Sequence, residues 1–138
     1  MILTDTSALY AVLDRDDDNH PAAAATWNSL LQTDTPLLVT NYLVVETMAV
    51  VQHRLGMEAV RLLCDDILPA LDVHWITEAD HGHAQNALLA AGRRKLSLVD
   101  CSSFHVMRSR AVRTAFAFDP HFGEQGFEVL PSETIGSA

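Results

Sequence analysis

The chain has 138 residues, 49% of them hydrophobic, with 9 basic against 18 acidic side chains for a formal net charge of −9. That length fits a single globular domain burying roughly two-thirds of the surface its unfolded chain would expose. Its apolar runs fall far short of the roughly 20 residues that span a bilayer, and its start reads as a strand rather than a leader, so a membrane protein is excluded and a cytoplasmic one expected.

In chain order, residues 1–4 read as a short buried strand and residues 6–13 as a helix opening just after Asp5. Asp14, Asp16, Asp17 and Asp18 form a solvated acidic loop, and His20-Pro21 starts an alanine-rich helix to about residue 31, with proline in the first turn where its missing N–H costs nothing. Residues 37–40 are a second strand. Thr40 or Asn41 caps a helix running to Leu55, Gly56 ends it, and a partner helix over 57–68 stops at Pro69. A third strand is expected over 72–76. Thr77-Glu78-Ala79-Asp80 opens a helix to about Ala91, with Gly92 as its stop, and Ser97-Leu98-Val99-Asp100 is a second capping box, for a helix to about Val112. Residues 115–118 make a fourth strand, 121–126 a turn and 127–130 a fifth strand. The domain is taken as 1–130, with 131–138 a flexible tail.

Strands alternating with helices imply an α/β fold with a mainly parallel five-stranded sheet between helical layers, because parallel neighbours need crossover connections. In such sheets ligands bind beyond the carboxyl ends of the strands. Asp5 follows the first strand and Asp119 the fourth, while Asp100 and Glu46 lie near helix starts that should face the same edge.

Those four acids are the informative residues. Each borders an apolar run: Met1-Ile2-Leu3-Thr4 before Asp5, Leu43-Val44-Val45 before Glu46, Leu98-Val99 before Asp100, and Ala115-Phe116-Ala117-Phe118 before Asp119. A carboxylate beside a buried element loses water at a cost of several kcal/mol unless a partner or a metal compensates. Capping accounts for Asp5 or Asp100 taken alone, at about 1 kcal/mol each, and a turn accounts for Asp119; Glu46, well inside a helix, has the weakest structural excuse. Four convergent oxygen donors, with no cysteine pair and no well-spaced histidine pair, suit Mg²⁺ or Mn²⁺ rather than zinc. An ion of that kind activates water and neutralises charge on a phosphodiester, which is hydrolytic nuclease chemistry. The two cysteines, Cys64 and Cys101, read as reduced packing residues.

The overall charge opposes nucleic-acid binding, but its distribution does not. Arg93, Arg94, Lys95, Arg108, Arg110 and Arg113 lie within 93–113, where Asp100 is the one acid, a local net of +5. Arg93, Arg94, Lys95 and Arg108 are candidate phosphate contacts, with a solvated helix face as the plainer alternative. Trp27 and Trp75 are expected as core or interface fillers. His81 and His83, two apart, make a poor chelate and should be exposed; His53, two turns past Glu46, and Ser103, one turn past Asp100, could reach the groove, though structural or solvated roles are simpler.

Asp5-Thr6-Ser7 at the start, Asn41 with Glu46, Leu96-Ser97-Leu98-Val99-Asp100 before a helix, and Phe118-Asp119-Pro120-His121-Phe122 near the end together resemble a PIN domain, in order and across nearly the whole chain. The bacterial form of that family resembles the VapC-type toxins of toxin–antitoxin pairs. The resemblance implies a Mg²⁺- or Mn²⁺-dependent ribonuclease on a PIN-like α/β/α sandwich, commonly a homodimer and held inactive by a cognate antitoxin. Asp5, Glu46, Asp100 and Asp119 match its metal-binding catalytic acids; Thr6 or Ser7 and Asn41 match neighbouring polar positions that would orient ligands or water. His121 departs from the pattern, standing where many relatives carry a further acid. Two other classes compete: a non-catalytic RNA-binding module of the same fold, disfavoured by the retention of all four acids, and an aspartate-dependent phosphatase or phospho-transfer domain. The latter is disfavoured by Ser7 where a second aspartate belongs and by Lys95 being the sole lysine.

Overall fold

The computed structural model describes residues 1–132; the tail expected over 131–138 therefore lies outside the described residues from 133 onward. Five strands, β1 (Ile2–Thr4), β2 (Leu37–Thr40), β3 (Asp72–His74), β4 (Thr114–Phe116) and β5 (Glu128–Leu130), form one sheet in the order β3-β2-β1-β4-β5. All four pairings are parallel, so the sheet is wholly rather than mainly parallel. Leu3, Leu38, Val39, Ala115 and Phe116 at its centre are fully buried, as expected of strands covered on both faces.

The helices are α1 (Thr6–Leu13), α2 (His20–Gln32), α3 (Asn41–Leu55), α4 (Met57–Leu62), α5 (Glu78–Ala91), α6 (Leu98–Ser109) and the one-turn α7 (His121–Glu124). Their starts are set as the sequence implies. The Thr40 hydroxyl caps α3, and Thr77 with Asp80 and Ser97 with Asp100 form complete capping boxes on α5 and α6. Gly92 ends α5 in the left-handed conformation that glycine adopts without steric cost.

Several boundaries depart from the sequence-based expectation, each for a local reason. The helix expected over 57–68 keeps α-geometry only to Leu62, widens into a π-helical turn over Leu63–Ile67 and closes as a 3₁₀ turn over Leu68–Ala70, where Pro69 supplies no N–H donor. β3 stops at His74 rather than residue 76, because the Ile76 N–H donates to the Asn41 side chain at 2.7 Å instead of joining a strand ladder. α6 stops at Ser109 rather than Val112: Ala111 takes a left-handed φ of 57°, and the Val112 N–H turns back to the Met107 carbonyl at 2.8 Å. β4 ends at Phe116 rather than Phe118, since the Phe118 N–H leaves the sheet for the Ser7 hydroxyl. The expected turn at 121–126 contains α7, and β5 begins at Glu128 rather than Phe127. Trp27 joins the core at 7% exposure, but Trp75 is 71% exposed and fills no core. Cys64 is exposed, Cys101 buried, and both are free.

The strand order decides where a site can form. From β1 the chain steps one way to β2 and β3, then returns to lay β4 and β5 on the other side, so the connections leaving β1 and β4 part company at their carboxyl ends. In open parallel sheets that reversal leaves a crevice. The residues just past those two strands include Asp5 and Asp119.

Candidate active site

A cleft of about 770 Å³ lies over this crevice, and Asp5, Glu46, Asp100 and Asp119 all line it. Four separate segments supply them: the turn from β1 into α1, the second turn of α3, the first turn of α6 and the loop after β4. Thr6, Ser7, Lys95, Ser97 and His121 line the same cleft.

Asp5 is the most enclosed, at 5% exposure. Its Oδ2 accepts the Ser7 backbone N–H at 3.1 Å and the Ser7 hydroxyl at 2.6 Å, so it caps α1, as a single-residue reading would have it. The Ser7 hydroxyl in turn accepts the Phe118 N–H at 2.9 Å and thereby ties the exits of β1 and β4 together. Burial pushes the Asp5 carboxyl up to about 6; the two Ser7 hydrogen bonds pull against that rise, and the charges of Asp100 and Glu46 add to it. Glu46 is likewise held above its ordinary range, mainly by burial, with the Thr6 hydroxyl opposing and Asp100 and Asp119 reinforcing. The Thr6 hydroxyl is 2.8 Å from that of Thr47, which fixes the first turn of α1 against α3.

Asp100 completes the capping box of α6: its Oδ2 accepts the Ser97 N–H at 3.0 Å while its own N–H donates to the Ser97 hydroxyl at 3.0 Å. Asp119 accepts the His121 N–H at 2.9 Å. Asp100, Asp119 and His121 offer one ligand atom each within 4.8 Å of one another. The His121 ring is held by the Glu124 carboxylate, 3.3 Å from Nδ1, and the Lys95 carbonyl, 3.2 Å from Nε2. Burial lowers the His121 pKa, but Glu124, Asp119 and Asp100 more than offset it, and the net direction is upward.

This donor set fits a divalent cation. Mutual repulsion among desolvated carboxylates is relieved either by protons or by a metal, and both hydrogen bonds to Asp5 fall on Oδ2, which leaves Oδ1 for a ligand. Oxygen-dominated donors are those hard divalent ions take.

Other sequence candidates end up elsewhere. Asn41 is not among the residues lining the cleft; its carbonyl oxygen holds the Ile76 N–H and so fixes the exit of β3. Arg108 lies in a separate groove with His83, His105 and Phe104, its guanidinium 5.1 Å from the Phe127 ring centre and bonded to Gln125 at 2.9 Å. Arg93 pairs with Glu124 at 3.1 Å, Arg94 is exposed, and Lys95 alone of the four basic candidates lines the cleft. Arg54, absent from the sequence candidates, also lines it, its guanidinium 5.4 Å from the Tyr10 ring centre. Glu46, Val50 and Arg54 follow one another at four-residue steps along α3, a register that could have flagged Arg54 where the two-turn count pointed to His53; His53 is exposed and outside the cleft. Ser103 is fully buried with no hydrogen-bond partner and does not reach the cleft. His81 is not exposed but hydrogen-bonded to Tyr42, and His83 stacks on His105 with ring centres 4.9 Å apart.

Residues 2–128 match the PIN domain family. The chain is 32% identical over 134 residues to the 23S rRNA-specific endonuclease VapC20 of Mycobacterium tuberculosis, covering 95% of this chain and 99% of that protein. Its fold resembles the crystal structure of M. tuberculosis VapC20, described as a sarcin-ricin loop cleaving toxin, with a TM-score of 0.83, 28% identity, and coverage of 92% of this chain and 96% of that one. It also resembles FitAcB from Neisseria gonorrhoeae (TM-score 0.68, 19% identity, 94% and 96% covered) and VapBC2 from Rickettsia felis bound to a promoter DNA fragment (0.65, 12%, 94% and 97%), which share the fold.

Proposed function

The chain belongs to the PIN-domain family, and from that premise we propose that it is a divalent-metal-dependent endoribonuclease acting as the toxin of a toxin–antitoxin pair. The observation that carries this reading is the meeting of Asp5, Glu46, Asp100 and Asp119, from four distant segments, on one cleft at the point where the strand order reverses. Nothing in folding alone calls for four carboxylates to converge where burial already penalises two of them. The likeness to a 23S rRNA-specific endonuclease along nearly the full length of both chains supports an RNA substrate and makes large-subunit ribosomal RNA the first to try.

Asp5, Glu46, Asp100 and Asp119 would hold the ion, Mg²⁺ or Mn²⁺, with Thr6 and Ser7 orienting Asp5 and Glu46. Bound there, the ion supplies neutralisation of the phosphodiester charge and activation of water for in-line attack. The chain's own residues do the rest. Ser7 pins one Asp5 oxygen and Ser97 one Asp100 oxygen, so the carboxylates are positioned before substrate arrives. Lys95 and Arg54 place positive charge on the cleft for flanking phosphates.

A cognate antitoxin and a homodimer complete the proposed assembly. Val45, Met57 and Leu62 on α3 and α4 remain exposed and give a second copy an apolar face. Among the described residues no helix is long and apolar enough to cross a membrane, which accords with a cytoplasmic site of action. The test is cleavage of total cellular RNA, and of intact ribosomes, by the purified chain with Mn²⁺. Loss of cleavage in EDTA and in Asp5→Asn is expected; cleavage that survives both would overturn the assignment.

A further inference from the structure

The geometry points to His121 as a nitrogen ligand of this metal centre, alongside Asp100 and Asp119, making the site selective for transition ions such as Mn²⁺ over Mg²⁺. The inference rests on the metal-centre reading above and adds to it the one residue that departs from an all-oxygen set.

Three observations carry it. The first is distance: ligand atoms of Asp100, Asp119 and His121 lie within 4.8 Å of one another, and His121 Nε2 is 3.8 Å from Asp119 Oδ1. Two donors bound to one ion at about 2.1 Å each stand about 3 to 4 Å apart, so the pair needs little movement to share one. The second is support. Metal-binding histidines characteristically donate the other ring N–H to a carboxylate, which fixes the tautomer and strengthens the ligand. Here Nδ1 faces Glu124 at 3.3 Å, and Arg93 holds the same Glu124 oxygen at 3.1 Å. The arrangement leaves Nε2 on the side of Asp119.

The third is rigidity. His121 opens α7, its backbone N–H is tied to Asp119, and its side chain is only 12% exposed. The next residue, Phe122, is fully buried against Phe104 with ring centres 5.2 Å apart. A merely solvated histidine would not need such seating. The Lys95 carbonyl, 3.2 Å from Nε2, is the competing partner, and an ion would take the place of the proton that Nε2 shares with it.

The chemical consequence follows from ligand preference. Mg²⁺ demands oxygen donors and gains little from imidazole, whereas nitrogen ligation raises affinity along the transition series. Replacing His121 with an acid should return the centre to the hard, oxygen-only type.

The experiment uses the full chain freed of metal, titrated separately with Mn²⁺ and Mg²⁺ by calorimetry, with pulsed electron paramagnetic resonance of the Mn²⁺-loaded protein. Wild type is expected to give nitrogen hyperfine coupling to Mn²⁺. His121→Asp should lose that coupling and lower the ratio of Mn²⁺ to Mg²⁺ affinity about tenfold or more, and Glu124→Gln, which leaves the ligand in place, should weaken Mn²⁺ binding about tenfold. Mn²⁺ binding without nitrogen coupling, and with an unchanged ratio in His121→Asp, overturns the assignment while leaving the carboxylate centre standing. Binding of neither ion to wild type above the level of Asp5→Asn overturns the centre itself. Metal-free melting curves for each variant separate loss of a ligand from loss of the fold.

Discussion

With divalent ions removed, Asp5→Asn is expected to be more stable than the wild type at neutral pH, although the substitution abolishes a proposed metal ligand. Asparagine keeps the cap, since its side-chain oxygen accepts the Ser7 N–H as well as aspartate does, and it removes a charge from a site only 5% exposed. The Asp5 carboxyl is raised from 3.8 to about 6 in the fold, so the folded state binds a proton more tightly than the unfolded chain. Stability therefore falls as pH rises through that window and levels off above it. Displaced this far, the carboxylate costs about 3 kcal/mol once fully ionised and under about 1 kcal/mol near pH 4. Urea denaturation in EDTA at a series of pH values measures the gap directly. The variant should gain on the wild type steadily from about pH 4 to pH 7. A variant less stable than wild type at pH 7.5, or a gap that does not widen with pH, would refute the claim that burial strains this carboxylate.

Adding Mn²⁺ or Mg²⁺ should raise the melting temperature of the wild type but not of Asp5→Asn or Asp100→Asn, the gain reaching about 2.7 kcal/mol at a hundredfold excess over Kd; equal shifts in all three would place the ion elsewhere. Neutralising Arg93, Arg94 and Lys95 together should weaken RNA binding and flatten its salt dependence, with Lys95→Ala the largest single contributor and Arg108→Ala, in another groove, nearly silent; an unchanged slope would remove this cluster from the phosphate track. Asp80 accepts from His74 at 3.0 Å and His105 at 3.1 Å and closes the α5 capping box, and these bonds, His74 foremost, hold its carboxyl well below the usual carboxylate range. Its contribution is thus complete above about pH 4 and drains away as pH falls further, so Asp80→Ala should cost about 2 kcal/mol in urea denaturation at pH 7 and progressively less below pH 4; a penalty independent of pH would show that the charge is not what matters.

What the sequence revealed and what it hid divide along a physical line. Acids beside apolar runs are locally costly, so Asp5, Glu46, Asp100 and Asp119 stand out in the sequence alone, and the alternation of strand and helix puts them on one rim. Capping chemistry is equally local, and Ser97 and Thr77 open α6 and α5 as their spacing implies. Roles that depend on a distant partner were not visible. Asn41 stands five residues before Glu46 on the same helix, yet its partner is the backbone of Ile76, and no pattern within α3 announces that. Arg108 is basic like Lys95, but stacking on Phe127 carries it to another face. Trp75 is a large aromatic, which suggested a core or interface filler; it sits where β3 has already ended and is exposed. The π-helical turn after Leu62 carries Leu63 and Ile67 into the core, and no residue pattern within 57–68 announces it.

The placement of β4 between β1 and β5 bears on how the protein is made. Until β4 has left the ribosome, β1 lacks one of its two neighbours, and Asp119 follows later still. No nascent fragment that stops short of Asp119 can bring the four carboxylates together, so the cleft cannot form while the chain is still growing through β4.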